Sequence, residues 1–146
     1  MHQNGRKLYF DLKSIFLHID NHEKSLLARF NLNIPRFYIL KHVYEHPGIN
    51  YIELSELLLC TKGNTTRVVR AMQDEDLLTR QVNTDDRRCY HLYLTKKGIK
   101  LYEEVNIAYK QQIDQFLAKF SEDQLASYTK ISEHIEEVFK PIGETM

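Results

Sequence analysis

The sequence predicts a mainly α-helical domain that carries one small β-hairpin. Three observations predict it. Apolar residues recur at three- and four-residue spacing over most of the 146 residues. Between Thr79 and Leu94 that spacing gives way to two short runs rich in Val, Tyr, Leu and Thr, set around the charged turn Thr84-Asp85-Asp86-Arg87-Arg88. Turn chemistry cuts the helical stretches at Asn31-Leu32-Asn33 and His46-Pro47-Gly48. A chain of this length is expected to form one domain, residues 1–146, and 42% apolar content allows a core.

Taken in order, Met1–Lys7 is polar and expected to be loose. Leu8–Phe30 reads as a helix with Leu12, Ile15, Phe16, Ile19, Leu26 and Leu27 on its apolar positions, ~35 Å long at ~1.5 Å per residue. Pro35 suits the first turn of the next helix, which runs to about Glu45 with Phe37, Leu40 and Val43 inward. Asn50 is an N-cap residue and Glu53 follows three positions later, the spacing of a capping box. Ile52, Leu54, Leu57 and Leu58 supply the apolar stripe of that helix. Thr61 caps a second short helix whose buried side is Val68, Val69 and Met72, with Leu77 behind. The strands are Thr79–Asn83 and Cys89–Leu94. Thr95 caps a long helix to about Phe120 containing Ile99, Leu101, Tyr102, Val105, Ile107, Ile113, Phe116 and Leu117. Ser121 and Gln124 form another capping box, and a last helix reaches about Lys140, before Pro141.

The order of helix, turn, helix, hairpin and long helix is that of a helix-turn-helix with a β-wing. The first turn of its second helix, Lys62-Gly63-Asn64-Thr65, has nothing apolar to bury. Lys62, Asn64, Thr66, Arg67 and Arg70 share one side, and Thr65 lies on the same first turns. Arg and Lys can reach guanine N7 and O6, Asn can pair with adenine, and a helix N-terminus favours phosphate. Arg87 and Arg88 sit at the hairpin tip, where a minor groove or phosphates would receive them, and Asp86 is placed to hold them. Net charge is zero, but residues 61–100 hold nine Lys/Arg against five Asp/Glu, leaving eleven against fifteen elsewhere. The positive charge falls where phosphate contact is expected.

The run L-S-E-L-L-L-C-T-K-G-N-T-T-R-V-V-R-A-M, then D-D-R-R, then L-Y-L-T-K-K-G resembles the MarR family of bacterial and archaeal transcription regulators. The resemblance rests on Leu54, Ser55, Glu56, Leu58, Cys60, Thr61, Thr66, Arg67 and Val69, on Asp86 and Arg88, and on Leu94, Thr95 and Gly98. It extends weakly over nearly the whole chain. Two positions depart from the family pattern. Asp76 stands where Gly is usual after the recognition helix, a site for a left-handed residue that Asp tolerates. Cys60 stands at a usually aliphatic core position. The resemblance implies a winged helix-turn-helix lobe at 34–95 and a triangular dimer, with dimerisation helices at 8–33 and 96–146. The apolar positions around more than one face of those terminal helices point the same way. It also implies double-stranded DNA as partner and a role as repressor.

A signal site is expected in a cleft lined by Phe16, Arg36, Tyr38, His42 and Tyr109, where relatives take phenolic or carboxylate ligands. Cys60, just ahead of the recognition helix, offers a redox alternative, and an adaptor without DNA binding is the other rival. The pairs His18/His22 and His42/His46 have zinc-compatible spacing. The resemblance implies further histidines on the long helix after the wing in the zinc-responsive branch, and no His lies between His91 and His134, so no metal site is expected. No catalytic motif or cofactor loop is present, so no enzyme and no cofactor are expected. Two cysteines without framework spacing, and no signal peptide or membrane-length apolar run, point to the cytoplasm.

Overall fold

In a computed structural model, residues 3–60, 62–82, 84–85 and 89–141 are described, with backbone alone at 3, 4 and 62. Helices α1 (Gln3–Ala28), α2 (Ile34–Glu45), α3 (Tyr51–Leu58) and α4 (Lys62–Asp74) are followed by strands β1 (Leu78–Val82) and β2 (Tyr90–Leu94). Helices α5 (Lys96–Leu117) and α6 (Glu122–Phe139) complete the order. The fold is the winged helix-turn-helix that the sequence predicts. Two compact units, residues 1–109 and 110–146, part within α5.

The first unit holds the core. Phe37, Leu40 and Val43 of α2 are fully buried, with Ile39 beside them, and they meet Leu27, Leu54, Val69, Met72, Leu92 and Val105. The Asn33 side chain accepts the Arg36 N–H and Pro35 occupies the first turn, so α2 starts with its orphan N–H groups satisfied. Helix α1 begins earlier than expected. Residues 3–7 are helical, not loose, and Lys7 pairs with Asp11 one turn on at 2.6 Å.

Helix α3 starts on Asn50, whose side chain accepts the Glu53 N–H at 2.8 Å. Its buried face differs from the expected stripe. Tyr51, Leu54 and Ser55 are buried and Leu58 is half-buried, whereas Ile52 and Leu57 are exposed. Positions 51, 54, 55 and 58 follow the i, i+3, i+4, i+7 rule, and two of them are merely not aliphatic.

The wing is antiparallel, with Leu78 opposite Leu94 and Val82 opposite Tyr90. It is tied inward by a bridge between Ile49 and Leu92, where Leu92 N–H donates to Ile49 O at 2.9 Å. Two residues after α4 ends, Asp76 has a φ of 60°, the left-handed conformation expected there. Thr95 then joins both roots of the hairpin. Its N–H donates to Leu77 O at 3.1 Å, its hydroxyl donates to Asp76 O at 2.6 Å, and the same hydroxyl accepts the Gly98 N–H at 3.0 Å.

The second unit contains α6, which opens with the complete Ser121–Gln124 capping box. No residue of α6 is buried, and Tyr128, Ile131, Val138 and Phe139 are exposed. Among the described residues no helix is long and apolar enough to cross a membrane.

Candidate nucleic-acid interface and the adjoining cavity

The turn between α3 and α4 is closed by backbone. Leu59 adopts φ 55° and ψ 38°, and the Leu59 and Cys60 N–H groups return to Glu56 O and Ser55 O. Helix α4 then stands with one side inward. Val69 and Met72 are fully buried; Gly63, Asn64, Arg67 and Arg70 are exposed and Thr66 is half-buried. The polar side therefore holds Asn64, Thr66, Arg67 and Arg70, as the spacing predicts. The side chain of Lys62, and residues 61, 86, 87 and 88, lie outside the described residues, so the Thr61 cap, the role of Asp86 and the wing arginines are not described here.

Thr65 is a correction. It is 2% exposed and faces α3, with its hydroxyl 3.0 Å from Ser55 Oγ, which donates to Tyr51 O at 2.7 Å. A buried hydroxyl needs a partner, and Ser55 supplies it. Thr65 therefore couples the two helices and is not available to a base edge.

On the open side, Arg67 Nη2 donates to Asn64 Oδ1 at 2.9 Å. The two residues are i and i+3, one turn apart on the same face. Sequence reading passed over Arg80. It stands on β1, with its guanidinium 4.4 Å from the centre of the Tyr90 ring, within cation–π range. The available signal was a cation at an outward strand position beside an aromatic on the facing strand. Stacking fixes the guanidinium plane while leaving Arg80 exposed.

Behind α4 lies a cavity of about 610 Å³ between α1, α2 and the helix-turn-helix. Phe16, Tyr38, His42, Cys60 and Asn64 line it, together with Asp20 and Glu23. Three sequence candidates thus meet in one cleft: Phe16, Tyr38 and His42. Two do not join the lining. Arg36 is held by Glu75 at 2.6 Å. Tyr109 donates to Glu23 Oε1 at 2.8 Å and lies 3.0 Å from the Tyr38 hydroxyl. Burial pushes the Tyr109 hydroxyl far above its usual range, with the Tyr38 and Glu23 hydrogen bonds acting in the same direction.

Burial also lowers the pKa of His42, with Lys41 adding to it, so the imidazole is neutral near pH 7. Its Nδ1 is buried with no hydrogen-bond partner among the described residues. Among the described residues the lining has two carboxylates and no Lys or Arg, and Asp20 is paired with Lys24 at 2.7 Å. Cys60 is exposed, not in a core position as expected; its thiol faces Leu58 O at 3.4 Å. Among the described residues no three His, Cys, Asp or Glu side chains are grouped to hold a metal ion.

Comparison with known proteins accords with this geometry. The model of the MarR family matches residues 32–90. The HTH-type transcriptional regulator MhqR of Bacillus subtilis (strain 168) is 24% identical over 135 residues, covering 92% of this chain and 93% of the relative. Staphylococcus aureus MarR in complex with salicylate and kanamycin superposes with a TM-score of 0.83 at 23% identity, over 94% of this chain and 93% of that one. Streptococcus pneumoniae FabT in complex with DNA superposes with a TM-score of 0.77 at 23% identity, over 91% and 98%.

Proposed function

We propose that the chain is a member of the MarR family of transcriptional regulators, whose model matches residues 32–90, and that it is a homodimeric repressor released from DNA by a small ring compound. Members of the family regulate transcription and are not enzymes. The observation that carries the reading is the division of α4: one side is locked into the core by Thr65, Val69 and Met72, and the other presents Asn64, Thr66, Arg67 and Arg70 to the outside.

A two-fold dimer reading successive major grooves needs its two α4 helices ~34 Å apart, so half-sites lie about one helical turn apart. The dimer is made by the terminal helices, residues 8–33 and 96–146, whose exposed apolar side chains need cover. Arg67, with Asn64 beside it, carries base discrimination, and Arg70 binds phosphate. Arg87 and Arg88, assigned from their place in the wing sequence, add minor-groove and phosphate attraction. The protein works in the cytoplasm, where its operator is. The effector enters the cleft of Phe16, Tyr38 and His42 as an uncharged phenolic ring. It weakens DNA binding only as far as it prefers the state that does not fit the operator.

The test is selection of bound DNA from a random pool, followed by titration of the selected operator, its single-base variants and unrelated DNA at several salt concentrations. Arg67→Ala should flatten preference at one or two base pairs per half-site, at a cost of ~1–3 kcal/mol. Arg88→Ala should weaken all sequences alike and lower the salt slope by roughly one per lost contact. Selection of no sequence by the folded protein would sink the reading in favour of an adaptor role.

A further inference from the structure

We infer that Asn64 is the positioning residue for Arg67, and that a molecule filling the cavity behind α4 acts on base discrimination by taking Asn64 away from it. The inference rests on α4 being the DNA-reading helix and goes further, because it names how the cleft and the DNA face are joined. Two observations carry it. Asn64 Oδ1 accepts a hydrogen bond from Arg67 Nη2 at 2.9 Å on the exposed side of α4. Asn64 also lines the 610 Å³ cavity, beside Thr65 and Val68 of the same helix and Cys60 of the turn. One residue therefore belongs to both surfaces.

The chemistry follows from the donor inventory. A guanidinium has five N–H groups in a fixed fork, so one bond to Asn64 leaves a pair for guanine N7 and O6. An exposed Arg without such a tether must lose its rotamer freedom each time it docks, and the tether removes part of that cost in advance. The neighbouring backbone cannot drift to compensate. Thr65 is fully buried and bound to Ser55, and Val69 and Met72 are fully buried below it. The movable element is thus the Asn64 carboxamide, which pivots between Arg67 and the cavity. An occupant with a hydrogen-bonding group competes for the carboxamide and frees Arg67 with α4 itself held in place. The signature differs from a change in helix spacing. Respacing weakens every DNA sequence, whereas loss of the tether lowers only the preference for the correct base.

The test fills the cavity covalently in the full chain. In a Cys89→Ser background, benzyl methanethiosulfonate reacts with the exposed Cys60: the Cys60 thiolate bonds to the benzylthio sulfur and methanesulfinate leaves. Mass spectrometry confirms one benzylthio group. Affinity is then measured for the selected operator and for the operator altered at the base pair that Arg67→Ala identifies. The unlabelled protein should discriminate by roughly 5- to 150-fold. The benzyl label and Asn64→Ala should each bring that ratio close to one, and the label should add nothing to Asn64→Ala. Asn64→Asp keeps an acceptor for Arg67, so it should keep the ratio while its charge weakens binding to all DNA. Methyl methanethiosulfonate, too short to cross the cavity, should leave the ratio intact. The inference is overturned if Asn64→Ala retains the ratio, if the benzyl label lowers both affinities equally, or if the methyl label acts like the benzyl one. Failure of the unlabelled protein to select DNA would instead remove the DNA-reading role on which the inference stands.

Discussion

Gly98 lies directly against the carbonyl of Leu77. A Cβ built on Gly98 would sit far inside van der Waals contact with the Leu77 oxygen, which is backbone and cannot swing away. The same oxygen accepts the Thr95 N–H, so α5 and the root of the wing meet at one point. Glycine is needed at 98 for this approach, since the residue lies in the first turn of a regular helix.

Gly98→Ala should therefore destabilise the protein although alanine is the better helix former. The overpacking penalty is about 1–3 kcal/mol or more, against a propensity gain of about 1 kcal/mol. Urea unfolding is the measurement. An unchanged midpoint would show that the wing root has slack.

Thr65→Val tests whether Thr65 is a packing residue or a base reader. Valine keeps the shape and removes the hydroxyl that faces Ser55. Stability should fall by about 0.5–1.5 kcal/mol, while preference among single-base operator variants stays as in the wild type. A flattened preference at any base pair, at unchanged stability, would restore Thr65 to the DNA surface.

His42 makes stability depend on pH with a definite sign. Its folded-state pKa lies below the ordinary 6.5, first because of burial and second because of Lys41. As pH falls, the unfolded chain takes up that proton before the folded one does. The contribution is whole above about pH 6.5 and is lost progressively toward the lower folded-state value. Thermal melts between pH 7.5 and 5 should show a steeper loss for the wild type than for His42→Leu. Parallel curves would mean that His42 stays solvated.

Dimerisation is tested on α6, which buries no residue within its own chain. Covering a side chain such as Ile131, 54% exposed, stabilises an interface by about 1–1.5 kcal/mol, half the value for a fully exposed side chain. Light scattering should give about twice the 17.4 kDa chain mass, and Ile131→Glu should shift it toward one chain with the helical spectrum largely kept. A monomeric wild type at micromolar concentration would end the two-half-site scheme.

What the sequence revealed depended on whether the cause was local. Asn50, Ser121 with Gln124, Pro35 and the Asp76 turn were legible because caps and left-handed residues act on neighbours three or four positions away. The hairpin was legible to within a residue because its alternation and its turn are contiguous. The inward turn of Thr65 was not, since a small β-branched polar residue carries no periodic signal and Ser55 decides its direction from the preceding helix. Tyr51 and Ser55 hid the true face of α3 for a similar reason. The partners of Arg36 and Tyr109 are 39 and 86 residues distant, and no spacing rule reaches that far. The exposed polar side of α4 was legible as a cluster of types; the Asn64–Arg67 bond within it was visible only once the rotamers were fixed in space.

Thr95 fastens both ends of the wing to each other before the hairpin begins. The chain between Leu78 and Leu94 therefore leaves and returns at one anchored point, so its length is one that neither α4 nor α5 has to register. Lengthening such a loop is thermodynamically cheap, about 0.6 kcal/mol for each doubling. Over evolutionary time the tip is free to gain, lose or exchange residues while the reading helix keeps its seat. The reach of the protein along flanking DNA can thus be retuned by mutation independently of the bases it recognises.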